Sequence, residues 1–199
     1  YPEYDDVEQL THDILKPKVF SLLKKIDDVI EKSQTGIIMK EGIKTAIVGR
    51  PNVGKSSILN MLLDEEKAIV TDIAGTTRDI VEGTISVKGL QLRLVDTAGI
   101  RETDDTVEKI GIKKSYKAID EADLVIVVLD YSEKLAKEDK GLLSFVKDKN
   151  HIVVVNKIDQ PKSINVVTNP EHVLISTTDG LGIESLQQKI LEKAGVSTF

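Results

Sequence analysis

Gly49-Arg50-Pro51-Asn52-Val53-Gly54-Lys55-Ser56 follows directly on the β-branched run Lys44 to Val48. It matches the glycine-rich phosphate loop in the strand-to-helix context that motif requires. Glycines there let backbone amides turn inward around phosphate oxygens, and the following helix adds the positive end of its dipole. Asn52, Val53, Gly54, Lys55, Ser56 and Ser57 are therefore the expected contacts to a nucleotide's phosphates. Lys55 neutralises the β and γ phosphates, and Ser56 supplies a hydroxyl to Mg2+, a hard cation that prefers oxygen ligands.

Two further segments carry chemistry only in this company. Leu92 to Val95 leads into Asp96-Thr97-Ala98-Gly99, placing at a strand end a carboxylate suited to hold Mg2+ through water. The Gly99 amide is expected to meet the γ-phosphate. An Asp-x-x-Gly alone is common in turns. Thr71-Asp72-Ile73-Ala74-Gly75-Thr76-Thr77-Arg78-Asp79 is polar and lacks strong periodicity, as a loop that changes with nucleotide state would be. Thr71, Thr76 and Thr77 are its candidate nucleotide contacts, with Thr77 preferred to Thr76 as the threonine that completes the Mg2+ shell.

Val153 to Val155 runs into Asn156-Lys157-Ile158-Asp159, at the strand end where open α/β sheets bind ligands. Guanine presents N1–H and an exocyclic amine side by side, and an ionised Asp159 accepts both, whereas adenine offers an unprotonated N1. Each such charge-assisted bond contributes roughly 1.5–3 kcal/mol. Asn156, Lys157 and Asp159 thus point to GTP and GDP rather than ATP. Ser176, Thr177 and Thr178 stand where a loop would back the guanine O6, and read equally well as a serine and threonine turn before a helix.

Positioning these groups requires a layered α/β fold. From about Ile43 onward β-branched runs alternate with helical patterns, the signature of a mostly parallel sheet covered on both faces. Six strands are predicted, at Lys44–Val48, Val81–Val87, Leu90–Val95, Leu124–Leu129, His151–Val155 and Val173–Ile175, with a last helix from about Gly182 to Ala194. Lys88-Gly89 suits a two-residue hairpin and makes one strand pair antiparallel. The fold class is a three-layer P-loop GTPase domain of Ras-like type over residues 41–199. Residues 1–40 read as N-terminal helices, with Val7, Leu10 and Ile14 on one face and Val19, Leu22, Leu23, Ile26 and Ile30 on another. Pro17 either starts a second helix or kinks a single one. This stripe is either folded back on the nucleotide domain or part of a separate helical domain or subunit.

Composition narrows the function class. The 199 residues contain no cysteine and three histidines, which excludes a disulfide framework and leaves little for zinc. No apolar run is long enough to span a bilayer, so a cytoplasmic protein without membrane contact is expected. A formal net charge of −6 gives no general attraction to nucleic acid, and this chain alone is not expected to bind it directly. Tyr1 at the first position suggests a piece of a longer chain.

Residue by residue the sequence resembles the bacterial tRNA modification GTPases of the MnmE (TrmE) family. The resemblance rests on Gly49 to Ser57, on Thr71 to Asp79, and on Asp96-Thr97-Ala98-Gly99-Ile100-Arg101-Glu102 followed by Val107-Glu108-Lys109-Ile110-Gly111. It covers nearly all of the chain from Ile43, and the preceding helices resemble that family's helical domain. It implies that Ile100 replaces the glutamine which orients attacking water in Ras-like proteins, and that Glu108 does this work, with Lys55 and Gly99 as the other catalytic groups. It also implies a K+ ion in place of an arginine finger, held by the Asn52 side chain and by backbone carbonyls of Thr71, Ile73 and Thr76. Arg78 and Arg101 are the alternatives for that positive charge. Self-association through face-to-face G domains is implied as well. So, in the complete protein, is work with a flavin-dependent MnmG-type enzyme on the wobble uridine of tRNA. The family's folate-binding domain and cysteine-bearing closing helices have no counterpart in this sequence.

Three other readings stay open on sequence grounds. Ribosome-assembly GTPases share Gly75-Thr76-Thr77-Arg78-Asp79. A nucleotide switch with negligible turnover would account for Ile100. A P-loop kinase would leave Asn156 to Asp159 unexplained.

Overall fold

The computed structural model describes residues 12–69, 83–95, 108–164 and 172–196. The chain divides into two compact units, 1–37 and 38–199.

The first unit holds most of α1, His12–Glu41, a single helix with Pro17 inside it. Pro17 lacks the amide that would bond the carbonyl four residues before it. The helix continues past it, so among the described residues one helix stands where the sequence allowed two. Val7 and Leu10 lie outside the described residues. Of the predicted stripe, Val19, Leu22, Leu23, Ile26 and Ile30 are all exposed, Leu22 most at 58%, although apolar periodicity alone predicts burial.

The second unit is a six-stranded sheet in the order β2-β3-β1-β4-β5-β6. Its strands are β1 Ile43–Val48, β2 Thr84–Val87, β3 Leu90–Leu94, β4 Leu124–Asp130, β5 His151–Asn156 and β6 Val173–Leu174. All pairs are parallel except β2 with β3. Lys88 (φ 48°) and Gly89 (φ 88°) turn that antiparallel pair as a two-residue hairpin with both centres left-handed.

Period-two alternation along buried strands sorts the core into two layers. Leu124, Ile126 and Val128 of β4 pack on one side with Ile58 and Leu62 of α2 (Lys55–Ile69) and with Leu186 and Ile190 of α5 (Ile183–Lys193). Val125, Val127 and Leu129 face the other side, against Ala118 and Ile119 of α3 (Glu108–Glu121) and Leu142 and Val146 of α4 (Lys137–Val146). A sheet buried on both faces needs its polar groups gathered at its ends, and those ends are where the site forms.

The predicted strands differ from these at their termini. β4 and β5 run one residue further, to Asp130 and Asn156, because those two residues pair across the sheet and the Tyr131 amide closes the ladder onto the Asn156 carbonyl at 2.8 Å. β3 stops at Leu94 and β6 at Leu174. The described part of β2 begins at Thr84, after the turn residue Gly83.

Candidate functional site

The phosphate loop leaves β1 at Val48 and enters α2 at Lys55. Two glycines in it are required by geometry. Gly49 (φ 154°) lies so close to the Val128 carbonyl that a Cβ would collide with it, and a Cβ on Gly54 (φ 98°) would collide with the Asn156 side-chain amide. Asn52 adopts φ 63°, a left-handed conformation that asparagine tolerates better than most residues. The Lys55 ammonium donates to the Gly49 and Arg50 carbonyls at 2.9 and 2.8 Å, which folds its side chain back along the loop. Burial holds its pKa below the ordinary lysine value.

At the far end of the sheet, Asn156 connects the two halves of the site. It is 1% exposed. Its Nδ2 donates to the Val53 carbonyl at 2.9 Å, and its Oδ1 accepts from the Thr177 amide at 3.3 Å. One buried side chain thus joins the phosphate loop to the loop after β6. Asp159 presents an exposed carboxylate beside it. Ser176 Oγ donates to Asp159 Oδ1 and Gln160 Nε2 to Oδ2, both at 2.8 Å. These two bonds, Gln160 first, hold the carboxyl below the usual carboxylate range. Lys157, left-handed at φ 66°, reaches back to β4, where its ammonium meets Asp130 Oδ2 at 2.5 Å.

Together these groups line one open cleft of about 470 Å³, bounded by Asn52, Gly54, Ser57, Ser132, Asn156, Lys157, Asp159, Gln160, Thr177 and Thr178. The structure therefore brings the phosphate loop, the Asn-Lys-x-Asp segment and the Ser-Thr-Thr loop to one place. Val53 is buried behind the loop, and its carbonyl, the one Asn156 holds, keeps the loop attached to β5. Glu108 is the first residue of α3. Thr71, Ile73, Thr76, Thr77, Asp96 and Gly99, with Ile100, Arg78 and Arg101, lie outside the described residues.

Sequence reasoning missed four groups here. Ser132 and Gln160 line the cleft, and Asp130 anchors Lys157. The signals were a polar Asp130 closing an otherwise apolar strand, and a Gln directly after Asp159. The fourth is a link from the phosphate loop to α4. Arg50 Nε donates to Asp139 Oδ2 at 2.8 Å and its Nη2 to Glu133 Oε2 at 2.9 Å. Asp139 Oδ2 also accepts the Ala136 amide at 2.9 Å, capping α4. Burial works against the Arg50 charge, but the bonds and charges of Asp139 and Glu133 prevail and raise its pKa.

Asp139 is 1% exposed, and its Oδ1 has no hydrogen-bond partner among the described residues. Removing the arginine would leave a buried carboxylate with only its backbone cap. Arg50→Ala is expected to cost about 1–3 kcal/mol of folding stability, read as a lower midpoint in urea unfolding with an unchanged m-value.

Comparison with known proteins decides the family. A family model described as 50S ribosome-binding GTPase matches residues 44–157, which is more than half of the chain and spans the cleft from phosphate loop to Lys157. The chain belongs to that family. This GTPase is similar to a tRNA modification GTPase MnmE of Streptococcus agalactiae serotype III, 51% identical over 191 residues, 96% of this chain and 42% of that one. It is 50% identical over 198 residues to the MnmE of Bacillus cereus, covering 96% and 43%. The chain thus spans about two fifths of the length of the curated relatives it matches.

Among solved structures, Era in complex with MgGDPNP and a piece of 16S ribosomal RNA is 32% identical, with a TM-score of 0.53 over 76% of this chain and 56% of that one. The FeoB G-domain of Methanococcus jannaschii is 27% identical, with a TM-score of 0.52 over 77% and 98%. The GTPase has the P-loop GTPase fold and is a GTP hydrolase. Among its described residues no helix is long and apolar enough to cross a membrane.

Proposed function

We propose that this chain is the GTP-hydrolysing part of a cytoplasmic tRNA modification GTPase, acting with Mg2+ and K+ and by pairing of two G domains. The observation that carries the reading is the single cleft that joins the phosphate loop to Asp159 through Asn156. The relatives named for tRNA modification, about 50% identical over 96% of the chain, support the biological role. The description of the matched family and the likeness to Era favour ribosome assembly as the second reading.

In this reading Asp159 accepts the N1–H and the amine of guanine, Thr177 and Thr178 approach its O6, and Asn156 holds the base loop to the phosphate loop. Val53 to Ser57 surround the phosphates, with the amides at the start of α2 pointing at them. Ser56, Thr77 and Asp96 would hold Mg2+. The donor set fits, since a hydroxyl pair and a carboxylate are the hard oxygens Mg2+ favours. Among the described residues no group of three or more His, Cys, Asp or Glu could by itself hold a metal ion. Asn52 and the carbonyls of Thr71, Ile73 and Thr76 would hold K+, and the left-handed Asn52 within the phosphate loop suits that assignment. A monovalent cation there supplies positive charge where negative charge develops in the transition state, the role an arginine finger plays elsewhere.

Of the four arginines in the sequence, Arg50, Arg78, Arg93 and Arg101, Arg50 is bound by Asp139 and Glu133, and Arg93 donates to the Gly42 carbonyl at 3.5 Å. Arg78 and Arg101, the alternatives for that positive charge, lie outside the described residues. Glu108, at the start of α3, orients the attacking water, with Lys55 and the Gly99 amide stabilising the γ-phosphate. In the longer protein, an MnmG-type flavin enzyme and tRNA are the partners.

GTP turnover measured across protein concentrations, at fixed Mg2+ and equal ionic strength, tests this. Rates that require K+ over Na+ and rise faster than linearly with protein support the cation and the pairing. Equal rates in both salts, strictly proportional to protein, overturn both.

A further inference from the structure

The Asn-Lys-x-Asp segment contains a lysine whose ammonium is committed to a carboxylate outside the cleft. Asp130 ends β4, a strand buried along its whole length, and is itself 4% exposed. A charge in that position is costly unless it is paired and hydrogen-bonded. It is fully satisfied. Lys157 Nζ meets Oδ2 at 2.5 Å, and Oδ1 accepts the Ser132 amide at 2.8 Å and its hydroxyl at 2.6 Å. Burial raises the Asp130 pKa, but the bonds from Lys157 and Ser132 prevail and keep it low.

Lys157 has a second anion within electrostatic reach. Its charge is among the causes that lower the pKa of Asp159, the carboxylate whose two oxygens must be free to accept guanine. A flexible, strongly charged ammonium released beside that exposed carboxylate would pair with it and compete with the base. The Asp130 side chain is 2% exposed and fixed by Ser132, so it is the better-organised partner. Lys157 itself lines the cleft. Asp130 does not line the cleft.

We propose that Asp130 is a positioning residue for guanine recognition: it draws the Lys157 ammonium away from Asp159 and leaves that carboxylate to the base. The proposal rests on the reading of Asp159 as the guanine acceptor and adds to it a residue outside the motif. Its action runs through Lys157, which distinguishes it from a merely structural ion pair.

The test is GDP affinity, measured with a fluorescent GDP analogue on the 199-residue chain and its Asp130→Asn, Lys157→Met and double variants, with thermal midpoints alongside. Asp130→Asn is expected to weaken GDP about tenfold, with the loss largest at low salt, where a freed ammonium holds Asp159 most strongly. The same substitution made in the Lys157→Met background is expected to change GDP affinity less than twofold. An equal loss in both backgrounds means that Asp130 acts through the fold and overturns the proposal. So does an unchanged affinity for Asp130→Asn. If Asp130→Asn does not fold, the comparison of Lys157→Met with the double variant still decides, since a further loss in the double variant overturns the proposal. Failure of the underlying reading is seen separately: Asp159→Asn would then leave the preference for guanine over xanthine unchanged.

Discussion

Asp159→Asn is expected to weaken GTP and GDP binding by roughly 10²- to 10⁴-fold, from the loss of two charge-assisted hydrogen bonds at about 1.5–3 kcal/mol each. The fold should survive. Asp159 is exposed and hydrogen-bonded to the buried Ser176 hydroxyl and the Gln160 side chain, and an isosteric amide keeps an oxygen that can accept from Ser176. Guanine offers two donors toward this position, and an amide can accept only one of them while aiming its NH2 at the other. Xanthine carries a carbonyl in place of the exocyclic amine and satisfies that NH2. The variant is therefore expected to prefer xanthosine nucleotides, which a competition assay between GDP and XDP reads directly. Retained preference for GDP would move the base contact away from Asp159. Gln160 enters the same measurement. Its amide donates to Oδ2 at 2.8 Å, and a carboxylate oxygen has a second lone pair for guanine.

Lys55→Met is expected to lower turnover by about 10³-fold or more, the scale on which a cation at the transferring phosphate contributes to rate, and to weaken nucleotide binding. The ammonium is folded onto the Gly49 and Arg50 carbonyls and partly stripped of water, and burial depresses its pKa from the ordinary 10.5. Bound phosphate reverses that preference. In the unfolded chain the lysine is ordinary, so between the depressed value and 10.5 the unfolded chain holds more protons than the empty folded protein. The empty protein is thus expected to gain stability as pH rises through that window. Saturating GDP should flatten or invert the slope, because phosphate favours the charged lysine. Thermal midpoints with and without GDP, from neutral pH upward, would show the two curves converging as pH rises. Parallel curves would mean that the phosphates do not meet Lys55.

The parts of the site that were legible in the sequence are those whose chemistry is local. Gly49 and Gly54 are forced by close backbone approach, and a glycine so required appears in the sequence as a glycine. The layers were legible too, because a sheet buried on both faces writes continuous β-branched runs. Strand ends were less so. Asp130 and Asn156 continue their strands although both are polar, since register rather than hydropathy decides where pairing stops. The links across the fold were invisible. Arg50 and Asp139 are 89 positions apart, and nothing in either neighbourhood foretells the other. Asp130 and Lys157 meet only because β4 and β5 are neighbours in the sheet. Pro17 was ambiguous for a different reason: one missing backbone bond bends or ends a helix according to what surrounds it, and α1 continues through it.

The bond from Asn156 to the Val53 carbonyl spans 103 positions, and this separation has a meaning in time. During synthesis the phosphate loop leaves the ribosome long before the strand that fastens it. At ordinary elongation rates the interval is roughly 5–20 s. Through that interval the nascent chain carries its glycine-rich loop without the amide that braces it or the carboxylate at Asp159. On the proposed reading of the cleft, a chain arrested before β5 is expected to hold no nucleotide, and competence for GTP to arrive late, with that strand.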